Sequence, residues 1–163
     1  MSQFTFRPMN ENTARAVLKW QYEPPYDFYN NSELEELSSL QHLLNPRNAF
    51  YSLEETDSLV AFCSFGPDGQ VTGGDYQDQA LDIGMGVRPD LTGCGNGNRF
   101  ATAVLEFADS LFAPAAFRVT IAAFNQRAIR VWQKLGFEQQ QSFKRNDGVS
   151  FIVLMRTHFG PPG

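Results

Sequence analysis

Between Ala80 and Phe124 the chain reads strand, glycine-rich turn, helix, strand, and this succession constrains the fold more than any other feature. "ALDIGMGV" is strand-like, "RPDLTGCGNG" is a turn, and Phe100, Val104, Phe107 or Ala108, and Leu111 keep helical spacing until Pro114. "FRVTIAAF" is a second strand, and "NQRAIRVWQKLGF" a second helix with Ala128, Val131 or Trp132, and Leu135 on one face. Gly136 closes that helix as the residue after its C-cap. Strands joined through helices imply crossovers, whereas the flanking segments read as hairpins.

Upstream, "QFTFRPM" alternates as a first strand, and Asn10 or Asn12 can cap a helix through "ENTARAVLKWQY". Pro24 and Pro25 stop that helix. "SELEELSSLQHLL" starts another, with Ser32 and Glu35 spaced as a capping box, and Pro46 ends it. "NAFYSLEE" and "SLVAFCSFG" are strands around a turn near Thr56 and Asp57, and "PDGQVTGGDYQDQ" is a polar loop. "FEQQQSFKR" and "VSFIVLMR", joined by "NDG", form a closing hairpin. The order β-αα-β-β-β-α-β-α-β-β predicts an α+β or mixed α/β domain spanning residues 1–163, with 158–163 as a loose tail.

Composition excludes several functions. A net charge of −5 argues against a nucleic-acid footprint, which needs a basic face. No window is apolar enough for a membrane span, and the opening residues lack a charged-then-apolar leader, so a cytoplasmic location is expected. Cys63 and Cys94 form no disulfide framework, and no Cys/His spacing suits a metal.

The glycine turn can be tested against known phosphate cradles. A Walker loop requires Lys after its last glycine, but Asn98-Arg99 follows Gly97. A dinucleotide fingerprint requires a third glycine where Asn98 stands. What survives is a glycine-rich entry into a helix N-terminus, whose free N–H groups and dipole suit a pyrophosphate. A merely flexible turn is the alternative.

With its neighbours, the turn resembles the acetyl-CoA loop of the GNAT N-acetyltransferase superfamily, Gln/Arg-x-x-Gly-x-Gly/Ala. Gly95 and Gly97 fill the glycine places, Thr92 stands at the Gln/Arg place, and Pro89 at the entry proline. "NQRAIRVWQKLGF" is similar to that family's Asn-x-x-Ala-x-x-x-Tyr-x-x-x-Gly-Phe, with Asn125, Ala128, Gly136 and Phe137 in register. The resemblance implies a central, mostly antiparallel sheet of about seven strands flanked by four helices, with acetyl-CoA as cosubstrate and no metal. It implies direct attack by an amine, and a monomer or homodimer.

The implied coenzyme contacts are Thr92, Gly93, Cys94, Gly95, Asn96, Gly97 and Asn98 on the loop and helix Asn98–Leu111, with Asn125 and Trp132 beyond. Met85 and Val87 are candidates for backbone contacts on a strand that splays at a bulge, for which Gly84 and Gly86 are suited, and Met85 or Val87 for the oxyanion donor. Asp82 occupies the strand where relatives place a base; a solvated or paired carboxylate is the structural alternative. Trp132 replaces the family's acidic tyrosine and has no acidic proton, so either another tyrosine reaches in or the thiolate leaves unassisted; Trp132 is equally a core residue. Cys94 has no histidine beside it, because His42 and His158 lie in unrelated segments.

By the same resemblance, the segment "WQYEPPYDFYNNSELEE" would fall on the acceptor side. Its rings, with Tyr26 and Tyr29 as the contact candidates, and its acids Glu23, Asp27, Glu33, Glu35 and Glu36 would draw an ammonium group. The alternative is that the rings pin a loop while the acids solvate a helix. The expected function is transfer of the acetyl group of acetyl-CoA to a primary amine of a small molecule. An acetyl-CoA sensor without turnover, a protein N-terminal or lysine acetyltransferase, and a non-enzymatic interaction domain are the alternatives.

Overall fold

A computed structural model describes residues 4–32 and 35–157. Seven strands form one sheet in the order β1-β2-β3-β4-β5-β7-β6. β1 (Phe4–Pro8), β2 (Phe50–Glu55), β3 (Ser58–Phe65) and β4 (Leu81–Val87) run antiparallel to their neighbours, as do β5 (Ala116–Ala122), β7 (Ser150–Thr157) and β6 (Glu138–Lys144). Only β4 and β5 are parallel, joined through α3 (Asn96–Phe112). The expected α+β sheet with four helices is therefore the observed architecture. The tail from residue 158 and two residues of the expected second helix, Glu33 and Leu34, lie outside the described residues.

Local chemistry explains the helix ends. α1 (Glu11–Leu18) starts at Asn10, whose side chain accepts from Thr13 N while the Thr13 hydroxyl accepts from Asn10 N. Such a cap contributes about 1 kcal/mol. α2 (Glu36–Leu44) is preceded by Glu35, which makes no side-chain cap bond. α4 (Gln126–Lys134) is capped by Asn125 Oδ1, which accepts from Ala128 N at 3.2 Å. Its far end is a Schellman motif: Phe137 N donates to Trp132 O, Gly136 N donates to Gln133 O, and Gly136 has φ +92°. The Phe137 ring meets the Trp132 ring edge-on at 5.0 Å. Much of the second signature is thus the start and stop chemistry of one helix.

Alternation along β3 sends Phe62 and Cys63 to opposite faces of the sheet. On one face, α1 and α2 bury Ala14, Val17, Leu40 and Leu43 against Phe50, with Phe62 packed alongside. On the other, α3 and α4 bury Val104, Ala108, Ile129 and Trp132 against Ile83, Phe117, Val119 and Leu154. Each fully buried side chain of this size contributes roughly 1.5–3 kcal/mol. Among the described residues no helix is long and apolar enough to cross a membrane.

Candidate active site

β4 pairs with β3 over five residues but with β5 over only two, Leu81 with Phe117 and Asp82 with Arg118. Beyond that point β4 and β5 part, and a cavity of about 1060 Å3 opens between them. Asp82 and Arg118 sit at the apex of the opening. Arg118 Nε and Nη2 donate to the two Asp82 oxygens at 2.6 and 2.7 Å, and Gln70 Nε2 adds a bond at 2.9 Å. Both side chains are almost wholly buried (3% and 4% exposed). Arg118 also donates to Asp78 O, and the bond from Asp82 holds its guanidinium firmly in the charged form.

Asp82, the sequence candidate for a base, is therefore occupied as an apex clamp and does not line the cavity. Its register position beside Arg118 on the neighbouring strand is what commits it. The expected bulge in β4 is likewise not there, since the register with β3 is continuous from Ala61–Val87 to Phe65–Ile83. Gly84 and Gly86 have a steric reason instead. A Cβ on Gly84 would fall 2.4 Å from Ser64 Oγ, and one on Gly86 would fall 2.3 Å from the Phe62 ring.

One half of the cavity is built mostly from backbone. Thr92, Gly93, Gly95, Gly97 and Asn98 line it, opposite Met85 and Val87. The α3 helix begins at Asn96 rather than Asn98, so Gly97 and Asn98 belong to its first turn. The N–H groups of that turn have no partner within a helix. Gly95 is the N-cap in the left-handed region (φ +79°), which most side chains resist, with open space around its missing Cβ. Gly97 serves packing instead, because its Cβ would stand 3.2 Å from Val131 on α4.

A Cβ on Gly93 would fall 2.8 Å from a guanidinium nitrogen of Arg127, so that cation sits against the loop. Arg130 and Lys134 line the same cavity. Fixed positive charge and free N–H groups together make an anion site. Asn98 Oδ1 is buried here with no hydrogen-bond partner, an acceptor awaiting a donor.

The remaining loop candidates turn inward to the loop itself. Thr92 lines the cavity, but its hydroxyl donates to Pro89 O at 2.8 Å. Asn96 donates to Leu91 O at 3.1 Å, and the exposed Cys94 thiol points to Thr92 O; neither residue lines the cavity. Asn125 and Trp132 both do, the first as the α4 cap and the second as a buried wall.

The other half is built from side chains. Trp20, Leu43, Phe50 and Phe62 supply apolar wall, and His42 and Asp68 supply the polar groups. His42 Nε2 lies 2.6 Å from Asp68 Oδ1, and Ser64 Oγ donates to Asp68 Oδ2 at 2.6 Å. Asn48 Nδ2 lies 3.2 Å from His42 Nδ1, which favours a proton on Nε2, donated to Asp68. Asp68 is close to β4, its Oδ2 being 3.1 Å from where a Gly84 Cβ would stand. Sequence reasoning missed this group because its members come from α2, β3 and the turn after β3, with no shared spacing.

The aromatic segment 20–31 straps the two halves together. The Tyr22 hydroxyl donates to Val87 O at 2.7 Å, so this strand carbonyl is already engaged, and burial pushes the phenol up to about 12. Tyr26 and Tyr29 line the cavity, though each is tied to the α4 side. Arg127 lies 4.0 Å over the Tyr26 ring, and Asn125 donates to the Tyr29 hydroxyl at 3.1 Å. The acids Glu23, Asp27, Glu35 and Glu36 are exposed and line nothing; Glu33 lies outside the described residues.

Comparison with known proteins follows the same outline. A model of the acetyltransferase (GNAT) family matches residues 14–137. No curated protein matches the chain. The fold is similar to the aminoglycoside acetyltransferase AAC(6')-Ib solved with ribostamycin and coenzyme A, with a TM-score of 0.76 at 16% identity over 95% of this chain and 93% of that one. It is similar to a chimera of the spermidine N-acetyltransferase SpeG from Vibrio cholerae and hSSAT (TM-score 0.70, 16% identity, 96% of both chains). A GNAT-family acetyltransferase from Bacillus anthracis gives a TM-score of 0.72 at 14% identity over 96% of both chains.

Proposed function

The chain belongs to the acetyltransferase (GNAT) family, and from that premise we propose that it transfers the acetyl group of acetyl-CoA to a primary amine on a small molecule. One observation carries the reading: β4 and β5 part after two paired residues, and the gap between them runs to the N-terminus of α3. A strand edge exposed in this way can pair with an amide-bearing arm much as it would with another strand. The loop N–H groups and Arg127 suit the pyrophosphate at its end. Asn98 Oδ1 supports the fit, because a coenzyme amide or hydroxyl would satisfy an acceptor that the protein leaves unmet.

Acetyl-CoA supplies the acyl group as a thioester. The amine nitrogen bonds to the carbonyl carbon, the carbon–sulfur bond breaks, and the ammonium gives up one proton before attack. We assign that proton to Asp68 in place of Asp82. Asp68 faces the cavity beside β4, and His42 and Ser64 hold its carboxylate while leaving lone pairs for an ammonium or one water. A backbone N–H at Met85 or Val87 receives the carbonyl oxygen's developing charge. Trp132 offers no acidic proton, and the Tyr22 phenol is both engaged and strengthened against ionisation. The Tyr29 phenol is also raised by burial, with its hydroxyl held by Asn125. The thiolate therefore leaves without a protein acid, which a thiol pKa of about 8.5 permits. It takes up through solvent the second nitrogen proton, released as the intermediate collapses to the amide.

The test is a thermal-shift titration with acetyl-CoA, using NAD and ATP as controls, followed by thiol release across a panel of amines. At ~100 times Kd a ligand adds about 2.7 kcal/mol, which is roughly 5–11 °C in Tm for a chain of this size. A shift specific to acetyl-CoA with amine-dependent thiol release supports the reading. A shift without turnover would leave a coenzyme sensor, the reading favoured by Trp132 at the tyrosine position. No shift in a folded protein would remove both.

A further inference from the structure

Resting on the acetyltransferase reading, we infer that the acceptor is a primary amine with a single positive charge on an apolar body of about aromatic-ring size. The walls where the acceptor would sit are Trp20, Leu43, Phe50 and Phe62, from four separate elements of the chain. Trp20 packs tilted against Phe62 with ring centroids 6.0 Å apart, and Phe62 against Phe50 at 6.1 Å, so the three rings make one continuous apolar wall. Such walls reward an apolar body and give a chain of ammonium groups nothing to bind.

The charges point the same way. Asp68 is the one carboxylate lining the cavity among the described residues, and it is already shared with His42. It can seat one ammonium at the floor, next to β4. Four cationic side chains, Arg127, Arg130, Lys134 and Arg145, line the same cavity. Arg145 is paired with Asp147, and Arg127, Arg130 and Lys134 stand by the loop at the coenzyme end. A second or third ammonium on the acceptor thus finds no further carboxylate lining the cavity among the described residues.

The aromatic strap does not change that balance. Its ring faces are used within the protein, with Arg127 over Tyr26 at 4.0 Å and Arg145 5.8 Å from the Phe28 centroid. The acids nearest in sequence, Glu23, Asp27, Glu35 and Glu36, are exposed to solvent, and Glu36 lies 3.6 Å from Arg15. Aromatic and acidic content in this segment, which from sequence alone suggests a cation trap, is spent on holding the strap and solvating it. Polyamines and aminoglycosides, which carry several ammonium groups, fit this cavity poorly.

The experiment compares initial rates of thiol release for 2-phenylethylamine, tryptamine, ethanolamine, spermidine, kanamycin and a short peptide with a free N-terminus, using the full chain. Binding of acetyl-CoA is measured in parallel by calorimetry. The arylalkylamines are expected to exceed spermidine and kanamycin by about 100-fold or more in kcat/KM. Trp20→Ala is expected to lower the arylalkylamine rate about 10-fold relative to ethanolamine, which has no body to pack. A preference for spermidine, kanamycin or the peptide, or no turnover of the arylalkylamines, would overturn the inference, and turnover of any other amine would keep the acetyltransferase reading. Acetyl-CoA binding with no turnover of any amine would overturn the inference and leave the coenzyme sensor. Absence of acetyl-CoA binding would overturn both.

Discussion

The two halves of the cleft are made of different material. The half proposed for the coenzyme is backbone: a strand edge, a glycine loop and the first turn of α3, with Asn98 and the cations of α4 around them. The half proposed for the acceptor is side chain, drawn from α1, α2, β2, β3 and the turn after β3. A site made of backbone requires contiguous residues of special conformation, so it leaves a motif. A site made of side chains requires only that the fold converge, and it leaves none. The apex clamp of Asp82 and Arg118 belongs to both halves, because it holds β4 and β5 where they last pair.

Breaking the clamp should damage both halves at once. Arg118→Met leaves the Asp82 carboxylate buried without its cation and is expected to cost about 3–5 kcal/mol of stability. Chemical denaturation would read this directly. Were Asp82 also a base, Asp82→Asn would cut kcat per folded molecule beyond the loss that the weakened clamp causes. Asp68→Asn should divide the halves cleanly: kcat/KM falls by roughly 100–1000-fold while the acetyl-CoA Kd measured by calorimetry stays put. Equal losses in both quantities would place Asp68 on the coenzyme side.

The complementary change is Gly95→Asp, which puts a carboxylate at the N-cap in a conformation that Asp tolerates better than most residues. It is expected to weaken acetyl-CoA about 30-fold, with little change in Tm of the ligand-free protein. An unchanged Kd would mean that the loop does not face the pyrophosphate. The smallest effect concerns the strap, where the two halves meet at Tyr22. Its pKa of about 12 lies above the unfolded value near 10, so between these limits the folded chain binds the extra proton. Stability contributed by Tyr22 is thus present below pH 10 and is lost as pH rises toward 12. In Tyr22→Phe that part of the alkaline loss should disappear; an identical alkaline profile would show that the phenol is not buried.

Legibility followed the same division. The strand order of elements, the α1 cap at Asn10, the loop glycines and the α4 stop at Gly136 were readable because each depends on residues within a few positions of one another. The capping box proposed at Ser32 and Glu35 spans Glu33 and Leu34, which lie outside the described residues, and α2 as described opens at Glu36. Asp82 was assigned a chemical role because its position on the strand was visible while its partner, 36 residues away, was not. Gly84 and Gly86 suggested a bulge, and the structure shows that they make room for Ser64 and Phe62 across β3. His42 and Asp68 carried no signal at all, being 26 residues apart on an ordinary helix and an ordinary turn.

By itself, then, the sequence determined the elements, their ends and the anion-suited entry to α3, since these are set by local φ/ψ preference, hydrophobic period and capping. Only the tertiary structure decided that β4 and β5 separate after two residues, that Asp82 is consumed by Arg118, and that Asp68 with His42 faces the opening. Those outcomes depend on which elements become neighbours and, for the strands, in what register; a one-residue change in register would have sent Asp82 and Arg118 to opposite faces of the sheet.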